Sequence, residues 1–398
     1  MARAMALRRA DCRSAGWRWP PCASAGSASW RVLTLPRRFV RTNSCRRADP
    51  NAWLPPQQPM AREIGMLRRD VMKAAAGAAL ATGAAGSAQA QAPTRWDISI
   101  PWGPAEFHTV NAQRFATEVR NATNGAVQMT VHAGGSLGVR ANETVRAVGD
   151  GVVPMAEFAA FQNVGDLPIL GIESIPFLIS NYDELQIMHS LVRPIWEREL
   201  ERRNQTVLYM CPWPTQLFYF KRPIATAADL RGIRMRTYDR VTAEMCTRLG
   251  MVPQQLTNPD VVPALASGRV DAVMTSGTTA VAQRYWEFLK HAYVTNHLWA
   301  TNLMVVNNDV WRRLPAATRT TIADLGKRLE PEFWNVSKGE HTLRMGELQQ
   351  NGMTVEDPSA ALVQAVRQAT ATMGDDFVRA NPAAGPIMQQ FRQRVGRA

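Results

Sequence analysis

Few residue groupings in this chain have the types and spacing for covalent chemistry. Gly134-Gly135-Ser136-Leu137-Gly138 fits G-x-S-x-G, the nucleophile elbow in which a sharp strand-to-helix turn exposes a serine. The elbow needs a helix to begin at once, with Asp and His partners further on. Here Val139-Arg140-Ala141-Asn142 intervene before a helix capped by Asn142, and nothing marks His297 or His341 as a partner. A Gly-rich turn explains the same letters, so no catalytic residue is assigned and a Ser136 hydrolase remains only the outlying reading. The six histidines (108, 132, 189, 291, 297, 341) are scattered, and H-E-x-x-H, Walker A, G-x-G-x-x-G and CxxC patterns are absent from the sequence. Neither a metal site nor a cofactor is expected. The most informative acid is Glu157, in Met155-Ala-Glu-Phe-Ala-Ala160. A carboxylate on an apolar strand is costly unless it is paired or lines a wet pocket.

The elements that must position such residues alternate at short intervals. Residues 96–101 read as a strand, 108–121 as a helix ending near Asn124-Gly125, 127–131 as a strand, 141–148 as a helix and 152–158 as a strand. An amphipathic helix over 180–204 leads to a strand at 206–210. A second run follows, with strands at 233–237, 252–256 and 270–275 and helices at 239–249 and from 258. From Leu314 onward the pattern is predominantly helical. Such alternation predicts an α/β protein with parallel sheets covered by helices on both faces, as two lobes with a cleft between them.

Charge and cysteine position remove other classes. Of a formal +13, +9 falls in residues 1–65 and +2 in 66–90, leaving +2 for the body, which takes away the support for nucleic-acid binding. Cys12, Cys22 and Cys45 lie in the basic head; Cys211 and Cys246 lie in the body, as two buried small side chains or as one disulfide. Residues 66–90 combine Arg68, Arg69 and Lys73 with an Ala/Gly-rich stretch and Ser87-Ala88-Gln89-Ala90, the layout of a signal peptide of twin-arginine or Sec type cleaved after Ala90. The stretch is too weakly apolar to span a membrane. Residues 1–65 are expected to be a non-native or disordered extension, the true start being Met60 or Met66; a mitochondrial-type presequence is the rival reading.

The pieces in order resemble a known family. They are Phe115-Ala-x-Glu-Val119 with Thr123-Asn-Gly125, Gly134-Gly-Ser-Leu-Gly138, Ser174-Ile-Pro-Phe-Leu178, Asp229-Leu-Arg-Gly-Ile-Arg-Met-Arg236, Ala264-Leu-Ala-Ser-Gly-Arg-Val-Asp271, Asn308-x-x-Trp311 and Leu314-Pro315. Over 95–345, and more loosely beyond, the chain resembles the DctP-type substrate-binding proteins of tripartite ATP-independent periplasmic (TRAP) transporters. The resemblance implies a two-lobed periplasmic-binding-protein-like fold with an interlobe cleft, hinge strands and a long helix along both lobes. Lobe I would comprise 91–213 plus 301–340, and lobe II 214–300 plus 341–398. It further implies a periplasmic, non-enzymatic protein that hands a small organic acid to TRAP permease subunits; a ligand sensor serving a signalling partner is the alternative.

The same resemblance places an arginine anchor at Arg236, whose planar fork of donors suits a carboxylate. Arg234 shares its strand face, but Arg236 ends the strand, where open α/β sheets bind ligands. Glu157, Trp102, Trp213, Thr275 and Ser276 are carried over as further ligand-binding positions. Gln216 stands where many relatives have a second arginine. That departure, with Trp102, Trp213, Phe158 and Trp299 as aromatic walls or as ordinary core residues, points to an apolar or aromatic monocarboxylate.

Overall fold

The computed structural model describes residues 92–397. The extension over 1–65 and the leader over 66–90 lie outside the described residues. β1 (Thr94–Ser99) turns Trp96 and Ile98 inwards. In α1 (Phe107–Ala122), Ala112, Phe115, Ala116 and Val119 recur at helical spacing and form one buried stripe. The helix stops where Asn124 and Gly125 take φ of 48° and 78°, the left-handed turn that commonly ends helices. β2 (Val127–His132), α2 (Thr144–Gly149) and β3 (Met155–Ala159) follow. α3 (Tyr182–Glu201) is capped by Asn181, which accepts the Glu184 N–H at 2.9 Å. It leads to β4 (Gln205–Pro212) and β5 (Leu217–Phe220).

The second run comprises β6 (Arg234–Thr237), α4 (Arg240–Arg248), β7 (Val252–Gln255), α5 (Val261–Ala266), β8 (Ala272–Thr275), α6 (Gly277–Ala282), β9 (His291–Tyr293) and β10 (Thr301–Asn307). Asp239 starts α4 with a capping box shared with Thr242. Then come α7 (Asn308–Arg313), α8 (Ala316–Gln350), β11 (Thr354–Glu356), α9 (Ala360–Thr370), α10 (Met373–Ala380) and α11 (Ala384–Arg394).

These strands make two sheets, ordered β2-β1-β3-β10-β4 and β11-β9-β5-β8-β6-β7. Neither is purely parallel, which corrects the expectation from the alternating pattern. β10 runs antiparallel to β3 and β4, and β5 runs antiparallel to β8 and β9. The cause is the way the chain changes sheet. β4 passes into β5 through four residues, and β9 returns to β10 along 294–300, with no helix in either crossing. The crossings lie side by side, Trp213 N–H donating to Ala300 O (2.8 Å) and Gln216 N–H to Leu298 O (3.1 Å). Two adjacent antiparallel stretches of chain therefore join the lobes.

Helices cover both faces of each sheet. In the first lobe α1 and the start of α8 bury Phe115, Ile322 and Phe333 against one face, while α2 and α3 bury Val148 and Trp196 against the other. In the second lobe α4 and α9 pack around Met235 and Met274, and α5 and α6 around Tyr219 and Val273. α8 is 35 residues long, about 50 Å at the helical rise per residue, and it reaches both lobes, with Phe333 in the first and Leu348 in the second. α11, grouped with the second lobe in the sequence-based division, packs Ile387, Met388 and Phe391 into the first lobe beside α3. Cys211 and Cys246 are both free and buried, in cores of different lobes.

Candidate functional site

A cleft opens where the crossing strands meet the C-terminal ends of β6 and β8 and the loop after β1. Its walls stand close together in this structure, leaving about 30 Å³ between them, space for about two waters. Arg236, Gln216, Trp102, Trp213, Thr275 and Ser276 all line it, so six of the seven residues named from sequence are brought together. Arg236 is the one charged side chain among the lining residues.

Arg236 is 4% exposed. Its Nε donates to Leu256 O (3.1 Å) and its Nη1 to Met274 O (3.4 Å), and its guanidinium lies 5.5 Å from the Tyr238 ring centre. Two of its five N–H donors are thus engaged by backbone carbonyls. No carboxylate among the described residues lies within ion-pair distance of it. Burial pulls the guanidinium below its ordinary value, against the opposing pull of Tyr285, Tyr238, Asp239 and Asp260. Arg234, on the same strand face, has a different environment. It is exposed and pairs with Asp271 through Nε (2.7 Å) and Nη2 (2.8 Å). β6 runs from the outside of its lobe into the cleft, and only its last arginine reaches it.

The remaining wall is aromatic and neutral. Trp102 and Trp213 meet edge to face with centroids 4.9 Å apart, and Phe161 packs on Tyr238 across the cleft at 4.4 Å. The Trp102 indole N–H and the Tyr238 hydroxyl are buried without hydrogen-bond partners among the described residues. Burial raises the Tyr238 phenol well above its usual value, which keeps it a neutral donor. Ser276 Oγ is 2.7 Å from Thr278 Oγ1, at the start of α6. The site thus offers one cation, two orphaned donors and apolar faces, a chemistry for holding one anionic group on a ring or alkyl body.

Glu157 is not in the wall. It is fully buried behind the wall, accepting from Tyr209 Oη (2.8 Å) and Asn302 Nδ2 (2.7 Å), with His108 Nδ1 at 3.1 Å. Asn302 Oδ1 in turn accepts the Trp213 indole N–H at 2.7 Å, so the carboxylate acts on the cleft through Asn302 and Trp213. Burial pulls His108 below its usual value. Phe158 and Trp299 are core aromatics, Trp299 donating to Ile179 O at 2.9 Å.

Sequence reasoning missed Tyr238, Phe161, Gln162, Asn258 and Thr279 in the wall. The available signal was position, since Tyr238 follows β6, Phe161 follows β3 and Thr279 follows β8, all at C-terminal strand ends. Ser136 lies exposed in a turn after β2, where Gly134, Gly135 and Gly138 all have positive φ, and the next helix begins only at Thr144. That geometry is a glycine turn, without the immediate helix of an elbow. His297 stacks on Phe218 in the core. Among the described residues no cluster of three or more His, Cys, Asp or Glu could hold a metal, and no helix is long and apolar enough to cross a membrane.

Comparison with known proteins gives a consistent result. The profile of a family described as bacterial extracellular solute-binding protein, family 7 (DctP), matches residues 99–381. The C4-dicarboxylate-binding periplasmic protein DctP of Rhodobacter capsulatus is 25% identical over 295 residues, covering 72% of this chain and 82% of its own. DctP7, a Bordetella pertussis extracytoplasmic solute receptor binding pyroglutamic acid, superposes with a TM-score of 0.73 at 30% identity, covering 75% of this chain and 99% of its own. A marine metagenome TRAP solute-binding protein specific for pyroglutamate superposes with a TM-score of 0.72 at 29% identity, covering 76% and 99%.

Proposed function

We propose a ligand class and an anchor for a chain that belongs to the bacterial extracellular solute-binding proteins of family 7. The chain is an extracytoplasmic TRAP solute receptor for small organic acids and not an enzyme. Within that role its ligand is a small monocarboxylate with a compact ring or apolar body, and Arg236 is the residue that grips the carboxylate. The observation that carries this reading is the buried Arg236, its donors only partly used by backbone carbonyls and no carboxylate among the described residues within ion-pair distance. A buried cation left so is a strong anchor for an incoming anion, because the ion pair forms in a water-poor site.

Three features support the finer ligand class. Arg236 is the sole charge in the wall, whereas a dicarboxylate calls for a second cation, and Gln216 is neutral. Trp102, Trp213, Phe161 and Tyr238 offer flat faces. Pyroglutamate, the ligand of the Bordetella and metagenome receptors, combines one carboxylate with a five-membered lactam, and the Gln216 amide has the donor and acceptor a lactam needs. Trp102, Trp213, Gln216, Thr275 and Ser276 surround the ligand body, Glu157 holds the wall from behind, and a TRAP permease receives the ligand.

A thermal-shift screen of carboxylic acids tests the class. L-pyroglutamate and related cyclic monocarboxylates are expected to raise the unfolding midpoint, while the methyl ester of pyroglutamate and C4 dicarboxylates leave it unmoved. Stabilisation by the ester equal to that by the acid would contradict a carboxylate anchor.

A further inference from the structure

Glu106 stands just before α1, on the first lobe, and serves the binding site in no way described so far. It is 2% exposed, makes no capping bond to its own helix, and neither carboxyl oxygen has a hydrogen-bond partner among the described residues. Of the elements near it, α6 and the turn after it belong to the second lobe, while α8 runs along both. Thr279 of α6, itself in the cleft wall, lies within reach of the carboxyl, and Glu340 and Arg344 of α8 and Tyr285 just after α6 are close enough to act on it electrostatically. On its own helix the nearest titratable group is His108, which burial holds below its usual value.

The one cation in this set is already committed. Arg344 donates from Nε and Nη2 to Glu340 (2.7 and 3.1 Å) and from Nη1 to Glu347 (2.7 Å). An ionised Glu106 would therefore sit without water, with only the poorly placed Thr279 hydroxyl as a donor and with a second carboxylate nearby, whereas a protonated Glu106 avoids the cost of a buried charge and can itself donate. Parting the lobes takes Thr279 and Tyr285 away from Glu106 and returns water to it, which removes the penalty on its charge.

We propose that Glu106 is a proton-operated clasp across the cleft: the lobes close on the ligand when Glu106 is protonated, so that capture takes up a proton. The inference rests on the reading of the cleft as a ligand site that closes. In the closed arrangement burial, with a smaller push from Glu340, raises the carboxyl from 4.5 to about 7. A group with a closed value above its open value favours closure below the closed value and loses that contribution as pH rises through it. The window runs from roughly pH 4.5 to 7, and tighter binding lies on the acid side. Asp239 is also buried and raised to about 6, and a Glu106 variant leaves it in place, so any share it has in the pH dependence persists there.

Isothermal titration of the protein with L-pyroglutamate at pH 5.5 and 8.0 tests this, run in buffers of different ionisation enthalpy to count protons. The wild type is expected to bind on the order of 10- to 30-fold more tightly at pH 5.5, and to take up close to one proton near pH 6. Glu106→Gln, an isostere of the protonated acid, should bind at pH 8.0 nearly as tightly as the wild type does at pH 5.5, with most of the proton uptake gone. Binding by the wild type that is independent of pH and free of proton uptake overturns the clasp alone. So does an undiminished pH dependence in Glu106→Gln. If L-pyroglutamate does not bind, the same comparison is made with the acid that the thermal-shift screen returns. Failure of every acid in that screen at both pH values overturns the ligand site and the clasp together.

Discussion

Arg234 and Arg236 are two residues apart on one strand face, yet one is tied to Asp271 at the surface and the other is buried at the cleft. Charge recognition in the cleft therefore turns on few positions. Gln216→Arg is expected to weaken L-pyroglutamate binding by about tenfold, the equivalent of about 1.4 kcal/mol, and to admit succinate, a second cation being what a dicarboxylate lacks here. Titration with both acids measures the change, and an unaltered preference would remove Gln216 from the ligand's surroundings. His297 makes a separate prediction. Stacked on Phe218 at 4.3 Å, it is lowered by burial from 6.5 to about 3. A base with a depressed folded value contributes stability above its unfolded value and loses it as pH falls through the window below. The urea midpoint of the wild type should accordingly lose its advantage over His297→Gln between pH 7 and 4; a constant difference would show that the imidazole is not buried neutral. The cleft was legible where a sequence pattern carried it, as at Arg236 and Gln216. Tyr238 and Phe161 were not, because an aromatic at a strand end looks the same whether it faces a core or a ligand. Glu157 stood out correctly as a buried acid, but only the fold shows that it reaches the wall through Asn302 and Trp213.

The same contrast holds for elements. Helices with caps and one apolar stripe, such as α1 and α4, were readable to within a few residues. β5, β9 and β10 were not, because they carry no alternation: Leu217–Phe220 and Thr301–Asn307 are buried at every position, and a short run buried on both faces has no period to distinguish strand from helix. Those unread strands flank the crossings that turn two parallel sheets into mixed ones. α8 supplies a prediction at this scale. A Cβ at Gly326 would overlap the Leu208 carbonyl of β4, whereas one at Gly339 of the same helix would meet open space. Gly326→Ala should therefore cost about 1–3 kcal/mol by forcing helix and sheet apart. Gly339→Ala should be neutral or stabilise by up to about 1 kcal/mol through helix propensity. Equal effects in chemical denaturation would mean that α8 does not pack against β4 in this way.

For the whole molecule, most of the formal charge lies outside the described residues, and the body that forms the lobes is close to neutral. Fold and lobe number followed from the alternation of elements, while the return of α11 to the first lobe did not, since a C-terminal amphipathic helix carries no mark of which core it joins. Cys211 and Cys246 lie in separate cores, so dithiothreitol should leave the unfolding midpoint unchanged and thiol reagents should label both only on unfolding; a reductant-sensitive midpoint would contradict the placement. The central claim is that the lobes capture one carboxylate through Arg236. It is tested most directly by the thermal unfolding of the wild type and Arg236→Ala across a series of L-pyroglutamate concentrations. The wild type is expected to gain about 2.7 kcal/mol when ligand exceeds its Kd a hundredfold. Arg236→Ala should unfold at or above the wild-type midpoint without ligand, having lost a buried unpaired cation, and show no ligand-dependent rise. A variant stabilised by L-pyroglutamate as much as the wild type would contradict the account.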